Sequence, residues 1–339
     1  MAQISRTYLR TKSLRLVTLV VLAVLLPAQF SNAQDAGTRY ALLVGGLGGN
    51  PDYTERFGNY LRDTRAVLVD RYGIPGEQVR VLGENALVDH PYVDAESTSE
   101  NIVSYFDQLS REVTPDDHLY VILFGHGSFD GTHAQLNIPR RDLNDEEYGA
   151  LLEDLNAGRI IFINTASASG PFAQALSAPE RIIITATATG TQRDETVFPR
   201  FLIEALQSIE ADIDKSGGLS VLELFQFAGG EVARSFDAGG QLATEHAVLE
   251  DNGDGEGTRY DEVAASADGA LASITFLRPP DEVASIDEAD RPLLREREAL
   301  QRSIAGLKNR KADLDDETYY AELETLLVQL AELNERLEE

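Results

Sequence analysis

The chain has 339 residues, of which 57 are acidic and 29 basic, and its formal charge is −28. A surface this acidic repels phosphate backbones and argues against nucleic acid as a partner, while it favours divalent cations and solubility. No cysteine occurs, which excludes a thiol nucleophile, a cysteine-ligated zinc site and any disulfide.

Residues 1–33 read as a secretory signal peptide. Arg6, Arg10, Lys12 and Arg15 make a basic start, "LVTLVVLAVLLPA" from Leu16 to Ala28 is apolar, and Ser31 and Ala33 stand at a signal peptidase's spacing. An uncleaved N-terminal anchor is the rival reading, although the apolar run is short for a span. Cleavage starts the mature chain near Gln34, makes it more acidic still, and places the protein in a periplasm or the extracellular space. No later segment is apolar and long enough for a bilayer, so no membrane span is expected once the signal is removed.

Residues 34–278 carry apolar, β-branched runs at 40–46, 78–82, 118–124, 159–163 and 181–186. Several are apolar throughout, as strands covered on both faces are. Segments of helical period lie between them, such as "SENIVSYFDQLSREV" and "NDEEYGALLEDLN". This alternation predicts an α/β fold, a mostly parallel, doubly wound sheet with helices on both faces. Ligands of such sheets bind beyond the carboxyl ends of the strands, so the loops after residues 46, 124, 164 and 186 are where chemistry is expected. "ALASITFL" (270–277) is read as an added edge strand. "GGLGGNP" (45–51) is a plain strand–helix turn, because the third glycine of a dinucleotide fingerprint falls on Pro51.

Residues 279–339 change character after "RPPDE" and become rich in Leu, Ala, Glu, Lys and Arg. Leu293, Leu300, Ile304, Leu307 and Leu314, then Leu323, Leu326, Leu330, Leu333 and Leu337, recur at threes, fours and sevens. A linker and a helical hairpin or short coiled coil are expected, with "DLDDET" (313–318) separating the runs and capping the second. These helices either pack on each other or on the domain, or make a homo-oligomer.

"DIDKSGGLSVLE" (212–223) matches the calcium loop of an EF-hand. Asp212, Asp214 and Ser216 supply side-chain oxygens at positions 1, 3 and 5, and Gly217 makes the turn at 6. Gly218 offers its carbonyl at 7, Ser220 acts at 9 through water, and Glu223 chelates at 12. The segments "ETVFPRFLIEALQSIEA" and "SVLELFQFAGGEVARSF" read as the flanking helices. Ca²⁺ is the expected cofactor, and only three carboxylates suggest modest affinity, which suits a calcium-rich exterior. "EDNGDGEGTRYD" (250–261) has Glu250, Asn252, Asp254 and Asp261 at similar spacing, but glycine at its eighth position, and is read as a solvated acidic loop.

"FGHGSFDG" (124–131) sets His126 between two glycines at a strand's carboxyl end. Such glycines let backbone N–H groups point at a ligand. "IIFINTASASG" (160–170) delivers Ser167 from the end of another strand. A nucleophile and a base from neighbouring strands is the general arrangement for covalent catalysis.

"DDHLYVILFGHGSFDG" followed by "IIFINTASASG" resembles the legumain branch of the caspase–legumain cysteine peptidases. There an apolar strand ends in His-Gly and the next in acid-Ala-Cys-x-Ser-Gly. "YALLVGG", "YGIPGEQVRVL" (72–82) and "IIITATATGTQRDETVF" (182–198) resemble further segments of that family, so that the likeness spans about residues 39–277. It implies a caspase-like fold and a site in which His126 matches the catalytic histidine, the Gly127 N–H an oxyanion-hole donor, and Ser167 the nucleophilic cysteine. Two positions depart from the pattern: cysteine has become Ser167, and the acid before it has become Thr165. A serine hydroxyl is almost un-ionised at neutral pH and needs a close, oriented base. The leading expectation is therefore a catalytically degenerate, calcium-binding and polypeptide-binding peptidase homologue. The alternatives are an active peptidase or other acyl hydrolase using Ser167 and His126, and a structural assembly protein acting through the coiled coil.

Overall fold

The computed structural model describes residues 37–279, 290–311 and 314–338, so the signal peptide expected over residues 1–33 lies outside the described residues. The described chain opens with β1 (Arg39–Gly45), α1 (Pro51–Asp70), β2 (Val79–Gly83), β3 (Ala95–Glu96), α2 (Ser99–Glu112) and β4 (His118–Phe124). A small three-stranded unit follows, made of β5 (Gly127–Phe129), β6 (Ala134–Leu136) and β7 (Leu143–Asn144). Next come α3 (Asp145–Glu153), β8 (Arg159–Asn164), α4 (Pro171–Leu176), β9 (Arg181–Thr185) and α5 (Phe198–Gln207). The remaining elements are β10 (Leu219–Ser220), α6 (Val221–Ala238), β11 (Val248–Glu250), β12 (Thr258–Arg259), α7 (Ala270–Ser273), β13 (Phe276–Arg278), α8 (Arg291–Asn309) and α9 (Asp316–Glu338).

The main sheet has eight strands in the order β12-β11-β9-β8-β4-β1-β2-β3. β3, β2, β1, β4, β8 and β9 are parallel, and β11 and β12 add an antiparallel edge. Both faces of the central strands are apolar, as the continuous runs predict. Leu43, Ile122, Ile161 and Ile184 pack with residues of α1, α5 and α6 on one face. Leu42, Val121, Phe162 and Ile183 pack with residues of α2, α3 and α4 on the other. Strands with apolar side chains on both sides bury them only when helices cover both faces. From β1 the chain builds towards β2 and β3, then returns to place β4, β8 and β9 on the other side. The order reverses between β1 and β4, which is where open α/β sheets leave a crevice.

The run 270–277 does not become an edge strand of this sheet. Asp251 accepts from Gly269 N at 2.8 Å and Ala272 N at 2.7 Å, which caps a turn of helix over its first residues. Only Phe276–Arg278 remains extended, and it pairs antiparallel with β10 in a separate two-stranded sheet. The antiparallel edge comes instead from β11 and β12, each too short to show a period in sequence.

α8 and α9 are joined by ion pairs Arg310–Glu322 and Arg336–Glu296, each at 3.7 Å, and bury Ile304, Leu307, Tyr319 and Leu333. Asp315 accepts from Thr318 N at 3.0 Å, the cap expected of "DLDDET". Among the described residues no helix is long and apolar enough to cross a membrane.

Candidate functional site

β4 and β8 are parallel neighbours in register, with Leu123 opposite Asn164. Their carboxyl ends therefore release the His126 and Ser167 loops side by side. Thr165 holds the second loop against the first strand: its N–H and its hydroxyl both donate to Leu123 O, at 3.0 and 2.7 Å. Thr196 donates to Thr165 O at 2.6 Å from the loop after β9. The position that resembles the family's acid is thus a buried hydroxyl aimed at a carbonyl, where a carboxylate would meet repulsion instead of a donor.

Ser167 is buried, with 5% of its surface exposed. Its Oγ accepts from Gly127 N at 3.2 Å and lies 3.2 Å from Gly127 O, to which it donates. One residue, Gly127, occupies the serine in both directions, through its N–H and its carbonyl. The donor expected to stabilise an oxyanion is spent on the side chain expected to attack. Gly127 has to be glycine here, because a Cβ would stand 2.0 Å from Ser167 O. Ala168 has φ +55°, a left-handed conformation that costs an alanine of order 1 kcal/mol. It is held by its N–H donating to Gln192 O at 2.7 Å. Ser169 and Thr187 bond each other at 3.2 Å, so the remaining hydroxyl of "TASAS" is also structural.

The His126 ring makes no hydrogen bond to any described residue. It sits edge-on to Tyr53, with ring centroids 4.4 Å apart, and to Phe57 at 5.2 Å. Both come from the first turns of α1, and no motif in the sequence marks either as part of the site. Asn50 caps this helix by accepting from Tyr53 N at 3.1 Å, and Pro51 fits its first turn. A helix entered from β1 starts at the carboxyl edge of the sheet, so topology was the signal that pointed to Tyr53. Tyr53 donates to Glu195 Oε2 at 2.8 Å, Arg56 pairs with the same carboxylate, and the bond to Glu195 raises the phenol pKa. Among the described residues no carboxylate pairs with His126. Nearby, Glu245 accepts from Val197 N at 2.7 Å at the start of α5. Its other oxygen is buried and unpartnered, and burial pushes its carboxyl up to about 7.

The 212–223 loop leads from α5 into the first turn of α6. Asp212, Asp214 and Glu223 bring carboxylate oxygens within 4.8 Å of one another, a distance one cation can bridge. Lys215 (φ +58°) and Gly217 (φ +80°) bend the chain around them. Ser216 N donates to Asp212 at 3.0 Å and to Asp214 at 2.9 Å, and Gly217 N to Asp212 at 2.9 Å. Glu223 accepts from Ile213 N at 3.0 Å, and it closes a capping box with Ser220 at the start of α6. The donor set is oxygen alone, which suits a hard cation such as Ca²⁺. Gly218 and Ser220 sit on either side of Leu219, at the point where β10 pairs with β13.

The 250–261 loop departs from the solvated reading. Glu250 is completely buried and Asp251 nearly so, because both lie at the end of β11 inside the sheet edge.

No protein-family model matches the chain, and no curated protein matches it.

Proposed function

We propose that this protein is an exported homologue of the caspase–legumain peptidases whose catalytic pair is degenerate, and that it acts by binding polypeptide and calcium. A caspase-like arrangement is supported by the adjacent His-Gly and Ser-Gly strand ends of β4 and β8 and by the parallel sheet behind them. Export rests on the signal peptide over residues 1–33, and a mature N-terminus near Gln34 is the expected product.

The observation that carries the degenerate reading is the Gly127–Ser167 pairing, in which the Gly127 carbonyl takes up the serine hydroxyl and the Gly127 N–H, the oxyanion donor, is taken up by the serine oxygen. An un-ionised hydroxyl with no bonded base has little nucleophilic power. Ca²⁺ would be held by Asp212, Asp214, Ser216, the Gly218 carbonyl, Ser220 through water, and Glu223. Its charge would neutralise the converging carboxylates and fix α5 relative to α6.

Steady-state assays with legumain- and caspase-type peptides test this reading. The wild type is expected to show no turnover. Ser167→Cys is expected to gain thiol-reagent-sensitive hydrolysis, because a thiolate forms more readily than an alkoxide and a thiol sulfur, a weaker acceptor than the hydroxyl, frees the Gly127 N–H. Wild-type turnover lost in both Ser167→Ala and His126→Ala would make the protein a serine hydrolase instead.

A second reading, assembly through the C-terminal helices as a hairpin or coiled coil, is favoured by one observation. Tyr320, Leu327 and Val328 of α9 are exposed. A salt-resistant oligomer lost on deleting residues 286–339 would support it.

A further inference from the structure

We propose that the loop from Glu250 to Thr258 is a second calcium site, built on the same backbone as the 212–223 loop. The two loops align with a constant offset. Position 4 has positive φ in both, +58° at Lys215 and +86° at Gly253, and position 6 is a glycine at +80° (Gly217) and +79° (Gly255). In each loop the position 5 N–H donates to the position 3 side chain: Ser216 N to Asp214 at 2.9 Å, and Asp254 N to Asn252 at 2.8 Å. The position 7 N–H donates to position 5: Gly218 N to Ser216 at 3.2 Å, and Glu256 N to Asp254 at 2.7 Å.

The feature that points to a ligand is Glu250. Its side chain is fully buried. Oε1 is held in the loop by Gly253 N at 2.6 Å and Gly255 N at 3.5 Å, so the carboxylate lies within the turn. Oε2 is buried without a hydrogen bond of good geometry, and the buried Ser177 hydroxyl beside it is the polar neighbour that interacts with this carboxylate. A buried carboxylate oxygen without such a bond is costly, and a cation in the loop removes the cost.

The remaining donors follow from position. Asn252 and Asp254 offer side-chain oxygens and are held together by the Asn252 amide N–H, which donates to Asp254 Oδ2 at 3.0 Å, and Glu256 offers its carbonyl at position 7. The glycine at position 8 is explained by packing and takes no ligand away: a Cβ on Gly257 would meet Val248 at 2.7 Å. The twelfth residue differs because Thr258–Arg259 turns back to pair with β11. Asp261 is therefore drawn to Arg259 at 3.5 Å. Asp268 stands over the loop instead, accepting from Asp251 N at 3.1 Å and Thr258 Oγ1 at 2.6 Å. This site lies beside Ile183 of β9, while Ser167 leaves the carboxyl end of β8, so calcium here would fasten the antiparallel edge rather than the candidate catalytic loops.

Native mass spectrometry and calorimetric Ca²⁺ titration of the full mature chain test the proposal. The wild type is expected to bind two ions. Asp254→Ala and Glu223→Gln are each expected to bind one, and the double variant none. Asp254 is exposed, so its removal should leave the fold intact, and circular dichroism in chelator checks this. One wild-type ion that is lost only in Glu223→Gln would overturn this inference and leave the first calcium site standing. Two ions retained in Asp254→Ala would also overturn it.

Discussion

The Tyr53 phenol stands edge-on to the His126 imidazole, with ring centroids 4.4 Å apart, and its hydroxyl is tied to Glu195 at 2.8 Å. Packing from Tyr53 and Phe57, with no hydrogen bond, sets where the histidine ring lies. An imidazole positioned this way is held without a carboxylate to strengthen it as a base. In the Ser167→Cys protein, Tyr53→Leu should therefore lower the alkylation rate of the new thiol by about tenfold, on the order of 1.4 kcal/mol in positioning. Glu195→Gln should lower it less, since a glutamine still accepts from the phenol. Equal alkylation rates in Ser167→Cys and Ser167→Cys/Tyr53→Leu would show that the ring contact does not position His126.

The parallel core was readable because β1, β4, β8 and β9 are apolar without interruption, which only a doubly covered sheet accommodates. The convergence of Asp212, Asp214 and Glu223 was readable because these carboxylates are local, within twelve residues of chain. Neither the Tyr53–His126 contact nor the Gly127–Ser167 pairing has a local signature. Each depends on which strand lies beside which, and a single sequence does not state strand order. The edge was misread for a related reason: the apolar run 270–277 looks extended until Asp251, nearly twenty residues earlier, caps its first turn.

Arg159 opens β8 almost fully buried, pairs with Glu180, and reaches Glu298 of α8 at 3.3 Å. Burial pulls its pKa down to about 10, so it stays charged at neutral pH. Its Nε has no partner, which leaves it dependent on the two carboxylates. Glu298→Gln should destabilise the protein by about 1 kcal/mol, the usual net worth of such a hydrogen bond at a partly exposed partner. Deleting residues 286–339 should cost more, because it also uncovers the arginine. Urea denaturation at neutral pH measures both, and an unchanged midpoint for Glu298→Gln would show that α8 is not anchored through this pair.

Glu245 gives a pH dependence with a defined sign. Its folded pKa of about 7 lies above its ordinary value of 4.5, because burial outweighs the N–H groups of Val197 and Phe198 that favour its charge. The folded state thus prefers the protonated acid. Stability from this group is fully present below about pH 4.5, falls as pH rises towards 7, and is flat above it. The drop is about 3 kcal/mol at most. Glu245→Gln keeps an acceptor for Val197 N and removes the charge. Relative to wild type it should gain stability as pH rises from about 5 to about 7 and keep that gain unchanged above it in denaturant titrations. A wild-type-minus-variant difference independent of pH would place the Glu245 pKa at its ordinary value.

Calcium at the 212–223 loop should raise the melting temperature, because a ligand bound only by the folded state stabilises that state. Extracellular calcium modules have dissociation constants of about 10⁻⁴–10⁻³ M. At a free concentration a hundred times the lower value, the gain is about 2.7 kcal/mol, or roughly 5–10 °C for a domain of this size. Glu223→Gln is the informative variant. Glu223 both converges on the cation position and closes the capping box with Ser220. Glutamine serves equally well in a capping box, so α6 should start as before while bidentate chelation is lost. The variant should therefore melt near the wild type in chelator and lose most of the calcium-dependent rise that this loop contributes. Scanning calorimetry with and without calcium reads the two effects separately. Identical wild-type melting curves in both conditions would remove calcium from the account of this loop, and a variant already unstable in chelator would show that the Glu223 carboxylate holds the loop through Ile213 and Ser220 without calcium.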